Sequence, residues 1–378
     1  MELKRLKFID KPFLIVLALI IAFGLVILIS ATNAISTNPF YYLKTQIAAL
    51  IIGAGISIFI MRYDYSQMTR YNYLIYGLAL FLLVLVLVLG EEVRGTVGWI
   101  NLGPLPAFQP AEFTKIMLII AFADFLNRRK GELNTLVELI PCFVFMGVPF
   151  ALIMLQPDLG TALVYIVITI VMMFVAGANP KIMITLILGA TAFIAVCLLL
   201  HFQYGMSLPL EDYQIKRLTM FIDPYDDGMG GRGAGWNTIQ ALIAIGSGGL
   251  IGKGLFNGTQ VQLNFLPEHH TDFIYAVIGE ELGFIGAALI IMLYGLLLLR
   301  AVYIAYNAKD FYGTLIVLGI SAMWLFHVYE NIGMSIGIMP ITGIPLPFLS
   351  YGGSSMLTNI IAVGIILSVN VRGKKIVF

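Results

Sequence analysis

Apolar runs recur along almost the whole chain, and only short polar segments interrupt them. A helix that spans a membrane needs about 20 predominantly apolar residues. The runs predict ten such helices, near 13–32, 43–61, 72–90, 112–127, 136–155, 159–177, 181–202, 273–299, 311–338 and 354–371. The fourth run is short and begins with a charged turn. The pattern therefore predicts an all-α polytopic membrane protein with about ten transmembrane helices.

The longest interruption, 203–272, lies between the seventh and eighth predicted helices. It is not a separate soluble domain, because segments such as 238–251 remain apolar. Within it, 210–222 places apolar residues at helical spacing around Lys216 and Arg217, which is typical of a helix lying in the membrane interface. We expect this large outer loop to fold back onto the membrane and cap a single domain, 1–378.

Composition agrees with a membrane protein and excludes several other classes. Hydrophobic residues make up 60% of the chain and charged residues 11%, about half the charged fraction of a soluble domain. The net charge of +1 creates no field that would attract nucleic acid. Cys142 and Cys197 both lie in apolar runs, so neither a disulfide framework nor a metal site is predicted from them.

Basic residues divide unevenly between the two sides of the membrane. With ten spans and an inner N-terminus, 15 of the 22 lysines and arginines fall on the inner side. The positive-inside rule then predicts that both termini are cytoplasmic. The seven outer exceptions are Lys44, Arg94, Lys115, Lys216, Arg217, Arg232 and Lys253. Because outer loops rarely concentrate basic residues, these seven are candidates for a functional role.

Two polar clusters open predicted spans on the outer side. Glu112 and Lys115 lie one helical turn apart, so their side chains should point the same way. A structural ion pair and a pair lining a substrate cavity both fit this spacing. Asp158 opens the sixth span, where it could equally cap the helix. Each cluster leaves a structural and a functional interpretation open.

A third cluster, Glu268, His269, His270 and Asp272, precedes the eighth predicted span. A carboxylate at this boundary is poorly solvated, which suits Asp272 as a general base. The alternative is that Asp272 caps the following helix. Adjacent histidines do not converge on one ion, so a zinc site is not favoured.

The segment 343–355, before the last span, is rich in glycine and proline. Irregular backbone at membrane depth must be buried in protein or line a cavity. The amides of Gly352, Gly353, Ser354 and Ser355 could hold an anion such as a phosphate at the helix start, and a plain tight turn is the alternative. The remaining buried polar side chains, Glu280, Glu281, His327 and Glu330, are interpreted as structural contacts.

Five motifs in this order resemble the SEDS family of cell-wall proteins over nearly the whole chain. They are QPAEFTK at 109–115, QPDLGTA at 156–162, NFLPEHHTDFI at 264–274, GEELGFIG at 279–286 and LPFLSYGGSS at 346–355. Within the family, 258–268 and 339–345 are more similar to RodA, the elongation member, than to FtsW, the division member.

The resemblance implies a peptidoglycan glycosyltransferase of the cytoplasmic membrane. Such enzymes polymerise lipid II, an undecaprenyl-pyrophosphoryl disaccharide-pentapeptide, on the outer face, beside a class B penicillin-binding protein and other elongation-complex membrane proteins. The essential aspartate of the family matches Asp272. Its cavity glutamate, lysine and aspartate match Glu112, Lys115 and Asp158, and its histidine matches His270.

An α-linked donor that gives a β(1→4) product implies a single inverting displacement, with Asp272 as the base. The groups expected to meet the pyrophosphate are Lys115, Lys216, Arg217 and the amides of Ser354 and Ser355. Glu112 and Asp158 would either orient the lysine or hold a divalent cation, Mg²⁺ or Mn²⁺. Two other functions remain open: a lipid II flippase and a non-catalytic scaffold of the cell-wall machinery.

Overall fold

The computed structural model describes residues 8–33, 40–93, 96–101, 103, 107–205, 212–226, 229–233 and 235–373. The helices are α1 (Lys11–Thr32), α2 (Phe40–Arg62), α3 (Asn72–Leu89), α4 (Pro110–Arg128), α5 (Leu136–Met154), α6 (Leu159–Val175), α7 (Pro180–Tyr204), α8 (Asp212–Ile222), α9 (Trp236–Gly248), α10 (Thr259–Gln262), α11 (Ile274–Tyr306), α12 (Phe311–Ser335) and α13 (Gly353–Gly373). A 3₁₀ helix, Tyr65–Tyr71, precedes α3. The predicted all-α class is confirmed. The described residues also contain a short antiparallel hairpin of β1 (Glu91–Val93) and β2 (Thr96–Trp99).

A long helix lies at each of the ten predicted spans. Among the described residues, eight helices are long and apolar enough to cross a membrane. The other two predicted spans correspond to α4 and α6. Helix α4 carries charged residues at both ends, and α6 has 17 residues. Both pack against α12 in the interior of the bundle.

Polar side chains fix where several of these helices begin. The caps are Asp10 for α1, Thr135 for α5, Asp158 for α6, Asn179 for α7 and Asp310 for α12. Each side chain accepts a hydrogen bond from a backbone amide in the first turn, which would otherwise lack a partner. The apolar runs predict that these helices exist, and the caps decide their first residues.

Helix α13 is the most buried of the helices that could cross the membrane. It packs along α2, where the Ser57 hydroxyl donates to the Ile360 carbonyl at 2.6 Å. On another face the Trp324 indole of α12 donates to the Asn359 amide oxygen at 2.7 Å. At the end of the bundle that carries the chain termini, Arg300 of α11 pairs with Asp10. Helix α13 is therefore held by α2 on one side and by α12 on another.

The described parts of the long connection 203–272 pack against the bundle of helices. Helix α8 forms within the segment expected to be helical, and α9 packs against α11. Helix α11 breaks at Gly283, whose φ of 65° and ψ of −161° are not helical. A Cβ there would lie 2.4 Å from the Gly252 amide nitrogen, so the close approach of the loop requires glycine.

Glu280 and Glu281 fasten the loop to this break. The Glu280 carboxylate accepts bonds from the Lys253 ammonium at 2.7 Å and from the Gln260 amide at 2.9 Å. The Glu281 carboxylate accepts from the Ser30 hydroxyl of α1 at 2.7 Å. The prediction that both glutamates make structural contacts is consistent with this arrangement.

Candidate functional site

A polar cavity of about 200 Å³ lies where α4, α6, α8, the start of α11 and the start of α13 meet. Seven of the residues singled out in the sequence line it: Glu112, Lys115, Asp158, Arg217, Asp272, Gly352 and Ser355. They come from five segments spread over more than 240 positions of the chain. The fold therefore brings the separate clusters together into one site.

Lys115 is the most deeply placed cation of the cavity. Its ammonium donates to Glu112 Oε1 at 2.7 Å and lies 3.1 Å from His327 Nε2 of α12. All three side chains are buried. Because an ammonium has no acceptor, the imidazole must accept here, which places its proton on Nδ1. The pair is a buried ion pair and also part of the cavity wall, so its geometry is compatible with both interpretations of its spacing.

Asp158 combines the two roles considered for it. As the cap of α6, it accepts from the Thr161 amide at 2.9 Å and from the Thr161 hydroxyl at 2.8 Å. The same half-buried side chain lines the cavity together with Lys115. A capping carboxylate can therefore still contribute negative charge to the site.

Asp272 lies one residue before the N-cap position of the helix that follows it. Helix α11 begins at Ile274 with Phe273 as its N-cap residue, and the Phe273 side chain makes no capping hydrogen bond. The Asn331 amide of α12 donates to the Asp272 carbonyl and to the Ile344 carbonyl, both at 2.8 Å. This bridge holds the backbone of Asp272 against the segment 343–352, and the Asp272 side chain lines the cavity.

Gly343 brings the segment before α13 close to the Asp272 carboxylate. Its φ of +77° lies in the left-handed region, and a Cβ on it would stand 3.5 Å from Asp272 Oδ2. On the same segment the Ser350 hydroxyl donates to the Thr271 carbonyl at 2.6 Å. The loop before α13 is therefore irregular and lines a cavity, as the sequence predicts.

Arg217 reaches the site from α8, at its edge. Its guanidinium donates to the Thr342 carbonyl at 3.4 Å, and the Thr342 hydroxyl donates to buried Glu330 at 2.8 Å. The side chain of its neighbour Lys216 lies outside the described residues, as do Arg94 and 206–211. Of the two predicted cations on α8, Arg217 is the one that the structure places at the cavity.

The neighbouring serines Ser354 and Ser355 make different contacts. Ser355 lines the cavity, whereas the Ser354 hydroxyl accepts from the Gln109 amide at 3.1 Å and is not among the lining residues. The Gly352 amide, expected to be free for an anion, donates to Gln46 Oε1 at 3.2 Å because α2 crosses this segment. The expected anion cradle is thus smaller than the sequence indicated.

His270 does not line the cavity. Its ring packs against Tyr42 of α2, with centroids 5.1 Å apart, and against Tyr351. The neighbouring His269 is buried, with ring nitrogens 2.5 Å from the Leu266 carbonyl and 2.8 Å from the Ala31 carbonyl. The two histidines therefore make different contacts.

The cavity does not form a complete cation site. Glu112 accepts from Lys115, and both oxygens of Asp158 accept from Thr161. In the part of the chain that the structure describes, no three His, Cys, Asp or Glu side chains are grouped so that they could hold a metal ion. We therefore assign no step to the divalent cation considered for Glu112 and Asp158.

The structure also adds residues that the sequence reasoning missed at this site. Thr96 and Trp99 reach the cavity from the hairpin, and Tyr351 and Gln109 line it as well. His327, interpreted from the sequence only as a structural contact, lies beside Lys115 of the cavity. Spacing within one helix cannot reveal a partner 212 positions away on another.

Comparisons with known proteins agree with the motifs and with the fold. The profile of the FtsW/RodA/SpoVE family, described as cell cycle protein, matches residues 10–375. Stage V sporulation protein E of Bacillus subtilis is 38% identical over 96% of each chain. The probable peptidoglycan glycosyltransferase FtsW of Trichlorobacter lovleyi is 37% identical over 97% of this chain and 94% of its own.

Solved structures give the same result. A chain from a study entitled "Structural coordination of polymerization and crosslinking by a peptidoglycan synthase complex" superposes with a TM-score of 0.78 at 30% identity, covering 96% of this chain and 97% of its own. The rod shape determining protein RodA of Thermus thermophilus superposes with a TM-score of 0.69 at 30% identity, over 96% of each chain. This multi-pass membrane protein therefore belongs to the FtsW/RodA/SpoVE family, the SEDS proteins that its motifs indicated.

Proposed function

We propose that this protein is a peptidoglycan glycosyltransferase that polymerises lipid II on the outer face of the cytoplasmic membrane. The observation that carries the proposal is the convergence of Asp272, Lys115, Glu112 and Asp158 on one cavity. Relatives named as peptidoglycan glycosyltransferases, and similar over nearly their full length, support the same activity.

In the proposed reaction, the Asp272 carboxylate takes the proton of the acceptor hydroxyl as that oxygen attacks the anomeric carbon of the donor. The bond from that carbon to the lipid pyrophosphate breaks, and the pyrophosphate leaves with the electron pair. A positioned base contributes about 10²–10⁴-fold to such a step. Lys115 and Arg217 stabilise the charge that develops on the leaving group.

The size of the cavity limits what it holds. At about 200 Å³ it is smaller than the roughly 300–1,000 Å³ of pockets that enclose a drug-sized ligand. It therefore accommodates the reacting ends of the two substrates, and the rest of each molecule lies outside it.

An apolar cavity of about 470 Å³ between α5, α6 and α7 is suited to the lipid tail. Helix α6 separates the two cavities, with Val164 on the polar side and Tyr165 on the apolar side. The Tyr165 hydroxyl is 2.7 Å from that of Thr114, which lies between Glu112 and Lys115 on α4. A polyprenyl chain in this groove would thus end beside the charged groups that meet its pyrophosphate.

The flippase alternative would favour a site built on broken helices near the midplane of the membrane. Helix α11 is broken, but its freed backbone is occupied by the outer loop. The Phe284 amide donates to the Gly249 carbonyl at 2.9 Å, and the Lys253 amide donates to the Glu280 carbonyl at 3.0 Å. The break therefore anchors a loop, which favours the enzyme over the transporter.

The experiment that separates the candidates uses the purified protein alone with labelled lipid II. Glycan polymer formed in detergent is the expected result, and gel separation of the product measures it. Translocation across reconstituted vesicles without polymer would instead indicate a flippase. If protein that elutes as a monodisperse peak shows neither polymerisation nor translocation, the scaffold function is the one that remains.

The proposed setting is cell elongation, beside a class B penicillin-binding protein that crosslinks the strands. Segments 258–268 and 339–345 support the elongation role. The structural similarity to a chain of a peptidoglycan synthase complex, which combines polymerisation with crosslinking, supports the partner. Rescue of rod shape in cells depleted of their own elongation polymerase is the expected outcome. Rescue of division or sporulation alone would reassign the role.

A further inference from the structure

A row of aromatic rings leads from the polar cavity to the protein surface. Tyr351 lines the cavity, and its ring centroid lies 4.9 Å from that of Tyr42 at the start of α2. Tyr42 in turn lies 5.6 Å from Tyr41, whose side chain is 55% exposed. The three rings therefore form a continuous path whose inner end belongs to the site and whose outer end is open to a ligand.

The row is held rigidly against the cavity. The His270 ring packs on Tyr42, and the Tyr351 amide donates to the His270 carbonyl at 2.9 Å. One turn along α2, the Gln46 side chain donates to the Ser350 carbonyl at 3.0 Å. The rings thus keep a fixed position relative to Asp272, two residues beyond His270.

The chemistry of the row fits a sugar chain. Sugar rings present apolar C–H faces, which pack on aromatic rings, and hydroxyls, which bond the polar ends of tyrosine and histidine. Tyrosine also occurs at membrane interfaces, where it contacts headgroups. A headgroup contact explains Tyr41, but not a continuous line of rings that ends inside the cavity.

We propose that Tyr351, Tyr42 and Tyr41, with His270 beside them, bind the glycan strand as it extends from the site. The inference rests on the proposed function, because it is polymerisation that creates such a strand. The cavity is too small to hold several sugars, so those already joined must lie on an adjoining surface. The class of ligand is a β(1→4)-linked chain of N-acetylated amino sugars.

Binding is tested without turnover, in purified Asp272→Asn protein. The probe is a lipid-free hexasaccharide of alternating N-acetylglucosamine and N-acetylmuramic acid, and titration calorimetry gives its affinity. Tyr42→Ala and Tyr41→Ala, each added to Asp272→Asn, should weaken binding about 5-fold or more. Tyr306→Ala is the matched control, because this 87% exposed tyrosine ends α11 far from the row.

Equal affinity in all three tyrosine variants would overturn the proposal, as would failure of the parent protein to bind the hexasaccharide. Tyr41→Ala removes only an exposed ring, so it remains informative if Tyr42→Ala misfolds. A second readout is strand length in protein with Asp272 intact, where mean length should fall at least 3-fold in Tyr42→Ala. Because binding is measured without catalysis, it can succeed or fail independently of the polymerase assay.

Discussion

At the scale of single residues, the site is organised around a lysine that is costly to bury. An ionised side chain inside a membrane protein is expensive and normally marks a function. The Lys115 ammonium is offset by Glu112 and approached by His327, both buried. Asp158 and Asp272 also line the cavity. Lys115 is thus held in place by the protein while facing the space where a pyrophosphate would sit.

Removing the lysine separates its structural role from its chemical one. Lys115→Ala should lower polymerisation about 10²-fold or more, since one stabilising donor of a developing anion is lost. It also leaves Glu112 buried without its cation, which costs about 3–5 kcal/mol of folding free energy. In the double variant Glu112→Gln/Lys115→Met, the thermal midpoint should recover while activity stays low. Recovery of both would mean that the pair is only structural.

His327 is a positioning residue, since it touches Lys115 and lies outside the cavity lining. His327→Phe removes the acceptor, and a hydrogen bond to a charged group is worth about 1.5–3 kcal/mol. We expect kcat/KM for lipid II to fall about 10- to 150-fold. His327→Gln, which keeps an acceptor, should restore most of that loss. If His327→Phe and His327→Gln lose activity equally at equal thermal midpoints, the hydrogen bond to Lys115 does not account for the loss of activity.

The sequence predicts the members of this site better than their contacts. Glu112 and Lys115 are neighbours on one helix, so spacing alone predicts their pairing. Asp272 and Asp158 could be predicted as polar groups at helix starts, and their meeting in one cavity depends on the packing of α6, α11 and α12. Ser354 and His270 are not among the residues that line the cavity; the Ser354 hydroxyl contacts the Gln109 amide, and the His270 ring packs on Tyr42.

At the scale of elements, the outer loop and the broken helix α11 form one unit. The break at Gly283 exposes backbone groups in a region where water cannot satisfy them. The loop supplies those partners. The Glu280 carboxylate binds two positions of the loop, the Lys253 ammonium and the Gln260 amide. The sequence predicts the apolar loop and the glutamates, but not the break, because GEELGFIG also suits a continuous helix.

Glu280→Ala should release the loop. The carboxylate is fully buried, so its loss leaves the Lys253 ammonium and the Gln260 amide without this acceptor. Hydrogen–deuterium exchange in 250–262 should rise strongly, and the thermal midpoint should fall. Glu132→Ala, an exposed glutamate on a different connection, is the matched control. Unchanged exchange in the loop would show that the backbone bonds to α11 hold it without Glu280.

At the scale of the whole molecule, a charged cavity and an apolar groove lie on opposite sides of α6. This arrangement suits a substrate with a polar head and a long lipid tail, which needs both environments at once. Hydrophobic runs alone predicted the ten long helices, since membrane-length helices carry a strong periodic signal. The hairpin β1–β2 was not predicted, because its strands have only three and four residues.

The most direct test of this account is the rate at which purified protein polymerises labelled lipid II before and after Asp272→Asn. Asparagine keeps the size of the side chain but cannot accept the proton, so the rate should fall about 10²-fold or more. Asp226→Asn, the same change on an exposed part of the outer loop, should leave the rate unaltered. A near wild-type rate in Asp272→Asn protein would contradict the assignment of Asp272 as the base.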